Sequence, residues 1–304
     1  MTDLSVVIPV YNEEQCVVEL YSRLKSTVVE LVSSYELILV DDGSVDGSWT
    51  LIEDIAKNDP NIKAIKFSRN FGHHVAISAG LDQAEGDWVV LMDADLQDAP
   101  EDVARLYSAA VNGSADIVVA KRKMRKHGKV KQFLSGMFYA FLSRVSDIQF
   151  DPEVGVFRIM SKRVVAEICR LRESSRFFPG ISQWVGFVNE SIDVQHQARF
   201  AGETKYPLTR QIALAANATL SFTDKPLKIA IYIGLLFSLL GLVHGLSIVI
   251  RAMLGQIIVL GYASLMSAML AIGGVTICTI GITGLYVGRI FKEVKNRPLY
   301  VVEE

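Results

Sequence analysis

Two carboxylates placed two residues apart carry the clearest chemistry in this sequence. Asp93 and Asp95 follow the apolar run 88–92, which predicts a buried strand that ends just before them. Residues two apart in an extended chain point the same way, and hard cations such as Mg²⁺ or Mn²⁺ bind carboxylate oxygens together with the phosphates of a substrate. The alternative is that the pair only ends the strand and caps a helix beginning near Pro100. The spacing therefore predicts either a cation site for a diphosphate substrate or a structural cap.

Polar residues also follow earlier predicted strands. The strand over 4–10 leads into residues 11–14, where a helix to about Ser33 is expected to begin. The strand over 36–40 ends in the segment 41–44, which contains two aspartates, a glycine and a serine. Asp, Gly and Ser are ordinary turn residues, so this cluster alone also has a purely structural explanation.

The predicted strands alternate with predicted helices. Further helices are expected after Ser48, from Gly72 through Glu85 and from near Pro100, and a third strand is expected over 62–67. This alternation predicts an α/β fold with a mostly parallel, Rossmann-like sheet and helices on both faces. Ligands of such sheets bind beyond the carboxyl ends of the strands, where the polar clusters fall.

The ordered set of strand ends 9–13, 41–44 and 93–97 resembles the inverting family-two glycosyltransferases, which have a GT-A fold and use nucleotide sugars. The resemblance covers residues 1–210, which are expected to form one cytoplasmic domain. It implies that the donor nucleoside lies against one group of residues and that a divalent metal, Mg²⁺ or Mn²⁺, holds the donor diphosphate. The nucleoside group is Pro9, Tyr11, Glu13, Val40 and Asp42, and the metal group is Asp93, Asp95 and Gln97.

The C-terminal third has the composition of a membrane domain. Residues 226–250 are apolar except for Lys228 and His244, and residues 257–288 contain no charge. A helix needs roughly 20 apolar residues to cross a bilayer, so two transmembrane helices are expected, over 227–250 and 262–288 of a membrane domain 226–304. A buried soluble helix is the alternative. Small residues such as Gly281, Gly284 and Gly288 permit close packing within the hairpin or in a homo-oligomer.

Charges beside the two spans predict the orientation of the protein. Lysines and arginines flank both outer ends of the hairpin, whereas the connecting loop has only Arg251. The positive-inside rule then places the N-terminal domain and both termini in the cytoplasm and the loop outside, in a multi-pass protein of the bacterial inner membrane. Residues 208–225 are expected to form a linker, with an amphipathic segment along the membrane surface.

A basic run occupies residues 121–131, with seven lysines or arginines and no acid. A solvated loop explains such a run, but a lipid phosphate or an anionic membrane surface is the partner expected next to transmembrane helices. No aromatic residues are interleaved, so a nucleic acid is not the expected partner. The resemblance implies that Arg122 contacts the donor phosphates.

Two later segments resemble one subgroup of the family. Residues 151–158 and 199–206 are similar to motifs of dolichyl-phosphate mannose synthases and bacterial bactoprenol-phosphate glucosyltransferases. The resemblance implies that Arg158, Arg199 and Lys205 hold the acceptor phosphate and the leaving diphosphate. Val156 stands where many bactoprenol enzymes have an aspartate, so an acidic role there is not carried over.

The expected activity is transfer of a hexose to undecaprenyl or another polyprenyl phosphate with inversion. The resemblance implies glucose, carried by UDP, and the expected catalytic residues are Asp93, Asp95, Arg122 and Arg158. Two alternatives stay open. One is a processive polysaccharide synthase, although its Gln-x-x-Arg-Trp motif is missing, and the other is a non-catalytic, membrane-tethered protein that binds nucleotide sugars.

Overall fold

The computed structural model describes residues 2–122, 154–173, 176, 178–194, 225–255 and 261–303. The chain divides into two compact units. The sheet unit comprises residues 1–140, 148–214 and 297–304, and the helical unit comprises 141–147 and 215–296. The predicted boundaries at 210 and 225 fall at or beside the undescribed range 195–224, so the division into 1–210, 208–225 and 226–304 stays a prediction.

The strands of the sheet unit form one sheet in the order β3-β2-β1-β4-β6-β5-β7. Strands β1 to β4 are parallel, β6 is antiparallel to both β4 and β5, and β7 is parallel to β5. The predicted mostly parallel sheet is thus confirmed. The strands are β1 Leu4–Val10, β2 Tyr35–Asp41, β3 Ile62–Lys66, β4 Trp88–Leu91, β5 Ile117–Arg122, β6 Val154–Ser161 and β7 Asn189–Val194.

Helices cover both faces of this sheet because the side chains of β1 alternate between them. Val6 and Ile8 join the hydrophobic core with Leu20 of α1. Val7 points to the other face, where Gly80 of α3 lies so close that an added Cβ would be 2.2 Å from the Val7 side chain. The helices of the sheet unit are α1 Val17–Leu31, α2 Ser48–Asn58, α3 His73–Asp82, α4 Asp102–Asn112, α5 Lys162–Arg170 and α6 Phe178–Trp184.

The first helix begins later than the sequence predicts. It starts at Val17 rather than near residue 11, and it ends at Leu31. Asn12 has a φ of 53°, in the left-handed region, and its N–H donates to a side chain of a neighbouring loop. Residues 11–16 therefore form a loop, because non-local hydrogen bonds satisfy the backbone there. The limits of α3 also differ from the prediction. This helix was expected to run through Glu85, but it ends earlier, at Asp82.

The helical unit contains two long helices in its described part, α7 Lys225–Met253 and α8 Tyr262–Val294. Their segments Leu227–Ser247 and Ile272–Val294, of 21 and 23 residues, are long and apolar enough to cross a membrane. Very few of their side chains are buried within the protein. Both helices agree with the predicted spans, whereas the predicted amphipathic segment lies outside the described residues except for Lys225.

Candidate active site at the carboxyl edge of the sheet

Hydrogen bonds join the loops that follow β1 and β2. The Asn12 N–H donates to Ser44 Oγ at 3.0 Å, and the Val45 N–H donates back to Asn12 Oδ1 at 2.9 Å. The Glu13 N–H donates to Ser48 Oγ at 2.9 Å. These bonds fix residues 11–14 against the start of α2, and they explain why Asn12 tolerates its left-handed backbone.

The loops after β2 and β3 are joined through Asp42. Its carboxylate accepts hydrogen bonds from the Phe71 N–H at 2.7 Å and from the Gly72 N–H at 3.0 Å. Gly43, next to it, has a φ of 69°, and an added Cβ would lie 2.5 Å from the backbone carbon of Arg69. Only glycine fits this position, so the two loops meet with their backbones almost in contact.

The segment after β4 carries the two carboxylates at partly exposed positions. Asp93, Asp95 and Gln97 are partly exposed, whereas the residues between them are buried. Asp95 Oδ1 accepts the Gln97 N–H at 3.1 Å. His73, at the start of α3, places its Nε2 3.3 Å from Asp93 Oδ1. Both carboxylates are thus partly exposed just beyond β4, and the expectation that they face one cation stays a prediction.

This donor set fits a hard divalent cation. Two carboxylates and an amide side chain, all partly exposed within five residues, offer the oxygen ligands that Mg²⁺ and Mn²⁺ prefer. Among the residues that the structure describes, no group of three or more His, Cys, Asp and Glu side chains converges on one point. A cation bound here would therefore complete its coordination with phosphate oxygens of a substrate and with water.

The residues predicted to surround the nucleoside lie at the same edge. Pro9 of β1 and Val40 of β2 are register partners, and both are buried in the sheet. Tyr11 has 41% of its surface exposed, so its ring is available for stacking. Glu13 is partly exposed, whereas Asp42 is only 2% exposed. The structure thus brings these five residues to one edge, but their contacts with a nucleoside stay predictions.

The predicted phosphate-binding cations are described in part. Arg158 is 2% exposed, and its guanidinium donates to Gly155 O, Val156 O and Ser182 Oγ. Burial lowers the pKa of Arg158 to about 10, so it is still charged at neutral pH. The contact of Arg158 with a phosphate stays a prediction, and so do the phosphate contacts of Arg122, Arg199 and Lys205. Only the backbone of Arg122 is described, and Arg199 and Lys205 lie outside the described residues.

Burial also sets the charge state of other groups near this edge. It raises the pKa of Asp41 and of Asp42, although N–H donors to both carboxylates oppose the rise. Burial, with the nearby charges of His73 and Arg158, lowers the pKa of His74 to about 3. His74 is consequently neutral at neutral pH, and it adds no charge to the edge.

Sequence reasoning missed the side chains that join the loops. His73 contacts Asp93, and Ser44 and Ser48 hold residues 12 and 13. Their only sequence signal is their place directly after predicted strands. Because each bonds to a residue about 20 or more positions away, no local pattern identifies its partner.

Comparison with known proteins agrees with this architecture. The family model described as glycosyl transferase family 2 matches residues 5–169, and the model described as the GtrB C-terminal hairpin matches residues 225–290. The uncharacterized glycosyltransferase sll0501 of Synechocystis is 40% identical over 303 residues, which cover 99% of this chain and 95% of the relative. The hairpin match to the two apolar helices indicates a membrane-associated protein.

Two characterised proteins are also similar. The SfII prophage-derived bactoprenol glucosyl transferase of Shigella flexneri is 35% identical over 302 residues, 99% of this chain and 97% of the relative. The glucosyl-3-phosphoglycerate synthase of Mycobacterium tuberculosis, solved with Mn²⁺, UDP and phosphoglyceric acid, has the same fold. Its TM-score is 0.51 at 21% identity, over 72% of this chain and 77% of that one. The chain is a glycosyltransferase that belongs to glycosyl transferase family 2, and it carries a GtrB-type C-terminal hairpin.

Proposed function

We propose that this protein transfers glucose from UDP-glucose to a polyprenyl phosphate, with inversion at the anomeric carbon. One observation carries the proposal: a carboxyl edge that suits a nucleotide sugar and two helices of membrane length occur in one chain. One of the relatives that align with both parts is a bactoprenol glucosyl transferase. A lipid acceptor explains why a sugar-transferring domain is joined to a membrane hairpin.

The donor would lie along the four joined strand ends. Tyr11 would offer a ring face to the base, and the buried pair Pro9 and Val40 would support the ends of β1 and β2 beside it. Asp93 and Asp95 would hold a divalent cation, with Gln97 beside them. When bound, that cation would neutralise the charge that develops on the departing diphosphate. Mn²⁺ occupies a neighbour of the same fold, which supports a divalent ion here.

The acceptor phosphate needs to be positioned near the donor, but it does not need to be deprotonated. A lipid monophosphate is already an oxyanion near neutral pH, so its attack on the anomeric carbon requires no general base. The absence of an acid at Val156 is compatible with this chemistry. Bringing two phosphate groups together does require positive charge, which Arg122, Arg199 and Lys205 would supply directly. Arg158 would add its charge while its hydrogen bonds shape residues 155–156.

The hairpin would place this reaction at the inner face of a cytoplasmic membrane. The positive flanks of α7 and α8 support a topology with both termini in the cytoplasm. The acceptor phosphate would then meet the sheet unit at the bilayer surface. The glycine-bearing face of α8 also suits a homo-oligomer.

Transfer of labelled glucose to lipid tests this function. The full-length protein in detergent is incubated with radiolabelled UDP-glucose, undecaprenyl phosphate and Mn²⁺ or Mg²⁺, and label in the organic phase is measured. We expect a labelled lipid that alkaline phosphatase does not degrade. Asp95→Ala should reduce transfer at least about a hundredfold, because a metal-assisted charge clamp contributes several kcal/mol to the transition state. EDTA should abolish transfer and added Mn²⁺ should restore it.

Asp54→Ala is the matched control, since Asp54 is an exposed aspartate on α2, away from the carboxyl edge. It should transfer glucose at the wild-type rate. Full activity of Asp95→Ala would refute the metal assignment. A long water-soluble polymer would identify a processive synthase instead, and nucleotide binding without any product would identify a non-catalytic binding protein.

A further inference from the structure

The last residues of the chain pack on the sheet unit in a way that the proposed function does not use. Residues 297–304 belong to this unit, and Val302 forms an antiparallel bridge with Phe67, just beyond the end of β3. The Glu303 N–H donates to Lys66 O at 2.7 Å. β3 is the outermost strand of the sheet, so the C-terminal segment covers part of an open edge.

Tyr300 fastens this segment at two points. Its hydroxyl donates to Asp82 Oδ2 at 2.9 Å, and Arg172 donates to both oxygens of the same carboxylate. Its ring stacks on Phe67 with centroids 5.1 Å apart and planes 17° from parallel. A hydrogen bond to a carboxylate and an aromatic stack together hold the segment in one place.

Contacts continue from Phe67 to the carboxylates of the candidate site. Phe67 meets the Phe71 ring edge to face at 5.6 Å, and the Phe71 N–H is one of the donors to Asp42. Two residues later His73 reaches Asp93. Gly72, between Phe71 and His73, has a φ of 107°. Glycine can adopt this backbone conformation, but it can adopt many others as well, so its own preference does not hold the loop in this one.

We propose that Tyr300 is a positioning residue for the donor nucleotide. By stacking on Phe67, it holds residues 67–73 in the conformation that joins Asp42 and Asp93 to the rest of the carboxyl edge. The inference rests on the proposed function, since it assumes that a nucleotide sugar binds at this edge. It gives the chain that follows the two long helices an indirect part in donor binding, through residues 67–73.

Two simpler roles of Tyr300 make different predictions. If the segment only covers the edge of β3, its loss lowers thermal stability and leaves nucleotide affinity unchanged. If the segment only tethers the sheet unit for access to lipid, its loss raises KM for the lipid acceptor alone. Positioning of the donor loop instead predicts weaker binding of UDP and a higher KM for UDP-glucose, with little change in kcat.

The experiment compares Tyr300→Ala with Tyr300→Phe in the full-length protein in detergent. UDP binding is measured by titration calorimetry with Mn²⁺, and KM is measured for UDP-glucose and for undecaprenyl phosphate. Tyr300→Ala should weaken UDP binding about tenfold, because it removes both the stack and the hydrogen bond. Tyr300→Phe keeps the stack, so its affinity should stay within about threefold of wild type.

Tyr21 provides a matched control at the other end of the sheet. Its hydroxyl also donates to an aspartate, Asp59, at 2.9 Å, and Asp59 lies before the start of β3. Tyr21→Ala and Tyr21→Phe should lower the Tm of the sheet unit and leave UDP binding unchanged. The Tm is read from tryptophan fluorescence, since Trp49, Trp88 and Trp184 all lie in the sheet unit.

A second variant removes one of the two backbone hydrogen bonds of the edge bridge without changing Tyr300, while the Ser68 N–H still donates to Val301 O. Glu303→Pro lacks the N–H that donates to Lys66 O, whereas Glu303→Gln keeps it and loses only the ion pair with Lys66. Glu303→Pro should weaken UDP binding in the same direction as Tyr300→Ala, and Glu303→Gln should not. This comparison still decides the matter if Tyr300→Ala does not fold.

The proposal is overturned if Tyr300→Ala and Glu303→Pro bind UDP as wild type does. It is also overturned if Tyr21→Ala weakens UDP binding equally, or if only KM for the lipid changes. A wild-type protein that neither binds UDP nor forms the lipid product would overturn the proposed function, and this inference with it. Wild-type activity with unaffected variants would remove this inference alone.

Discussion

At the scale of single residues, burial separates two kinds of carboxylate at the carboxyl edge. Asp93 and Asp95 are partly exposed, so a cation and a diphosphate can reach them. Asp41 and Asp42 are buried, and Asp42 bonds to backbone N–H groups of the next loop. The first pair is thus suited to bind ligands, whereas the second shapes the loops around them.

Replacing Asp42 tests this shaping role. Asp42→Asn keeps the size of the side chain but offers one acceptor oxygen and turns an NH₂ group toward the Phe71 or Gly72 N–H. Losing one hydrogen bond to a charged acceptor costs about 1.5–3 kcal/mol, so UDP affinity should fall about tenfold or more. Titration calorimetry with Mn²⁺ measures this change. Wild-type affinity would contradict the role assigned to the Asp42 carboxylate.

Asp41→Asn is the adjacent control with the same chemistry. Burial raises the pKa of Asp41, and a raised folded pKa means that the stability contributed by the group is lost as pH rises through that value. A neutral amide avoids the loss and still accepts the Ser44 N–H. The variant should therefore be more stable than wild type at pH 7, seen as a higher Tm, whereas the two proteins should be equally stable below pH 3.8, the ordinary pKa of aspartate.

At the scale of elements, β1 to β4 were predictable because each is a short apolar run that ends in polar residues. β1 was predicted with the limits that the structure shows. β3 and β4 each end one residue earlier than predicted, and β2 is one residue longer at each end. Their carboxyl ends also carry every metal-site residue that the sequence indicated. Local sequence patterns are enough to locate these four strands. Because each strand is buried on both faces of the sheet, its sequence is an almost continuous run of apolar residues.

The rest of the sheet was not predictable from local patterns. β6 lies antiparallel between β4 and β5, although it follows β5 in the chain. Its residues also carry the motif at Arg158, which points to a loop rather than to a strand. The bridge between Val302 and Phe67 is still less visible, because a partner more than 200 positions away leaves no periodic signal.

An ion pair between a partly exposed lysine and a buried glutamate joins elements at the opposite end of the sheet. The Lys63 ammonium of β3 lies 2.7 Å from Glu36 of β2 and 3.1 Å from Glu85, which follows α3. Burial alone would raise the pKa of Glu36, but hydrogen bonds from Lys63 and Ser5 outweigh it, and the pKa is lowered. A lowered pKa contributes stability above the ordinary value of 4.5, and that stability is lost as pH falls through the folded pKa.

Lys63→Met should therefore destabilise the sheet unit most at neutral pH. The loss should be about 1–2 kcal/mol, since solvent screens the partly exposed ammonium while Glu36 keeps its other donors. The difference from wild type should shrink as the pH falls below 4.5 and through the lowered pKa of the folded Glu36. Urea unfolding followed by tryptophan fluorescence measures both effects.

Lys57→Met is the control for this prediction. Lys57 pairs with Glu53 at 3.0 Å on the exposed side of α2, with the spacing of one helical turn. Such exposed pairs contribute about 0.3–0.5 kcal/mol, so the variant should lose little stability at any pH. A loss at Lys63 that is equally small, or that does not depend on pH, would contradict the coupling to Glu36.

At the scale of the whole molecule, the chain joins a sheet unit with charged loops to a helical unit that has no charged residue over 257–288. The net charge is only −2, but the positive residues concentrate near the ends of the hairpin and in the run 121–131. This distribution suits a protein that works on anionic lipid at one membrane face. The chain then returns to the sheet unit at residues 297–304.

Labelling of single cysteines tests this topology. Cys16, Cys169 and Cys278 are first replaced by alanine, and Leu254→Cys is then introduced into the loop between the helices, where Leu254 is exposed. A membrane-impermeant maleimide should label this cysteine in intact spheroplasts, because the positive-inside rule puts the loop outside. Val111→Cys, at an exposed position of α4, should react only after the membrane is permeabilised. Labelling of Val111→Cys in intact spheroplasts, with Leu254→Cys protected, would mean that the sheet unit and the donor site face outward, away from the cytoplasmic supply of nucleotide sugars.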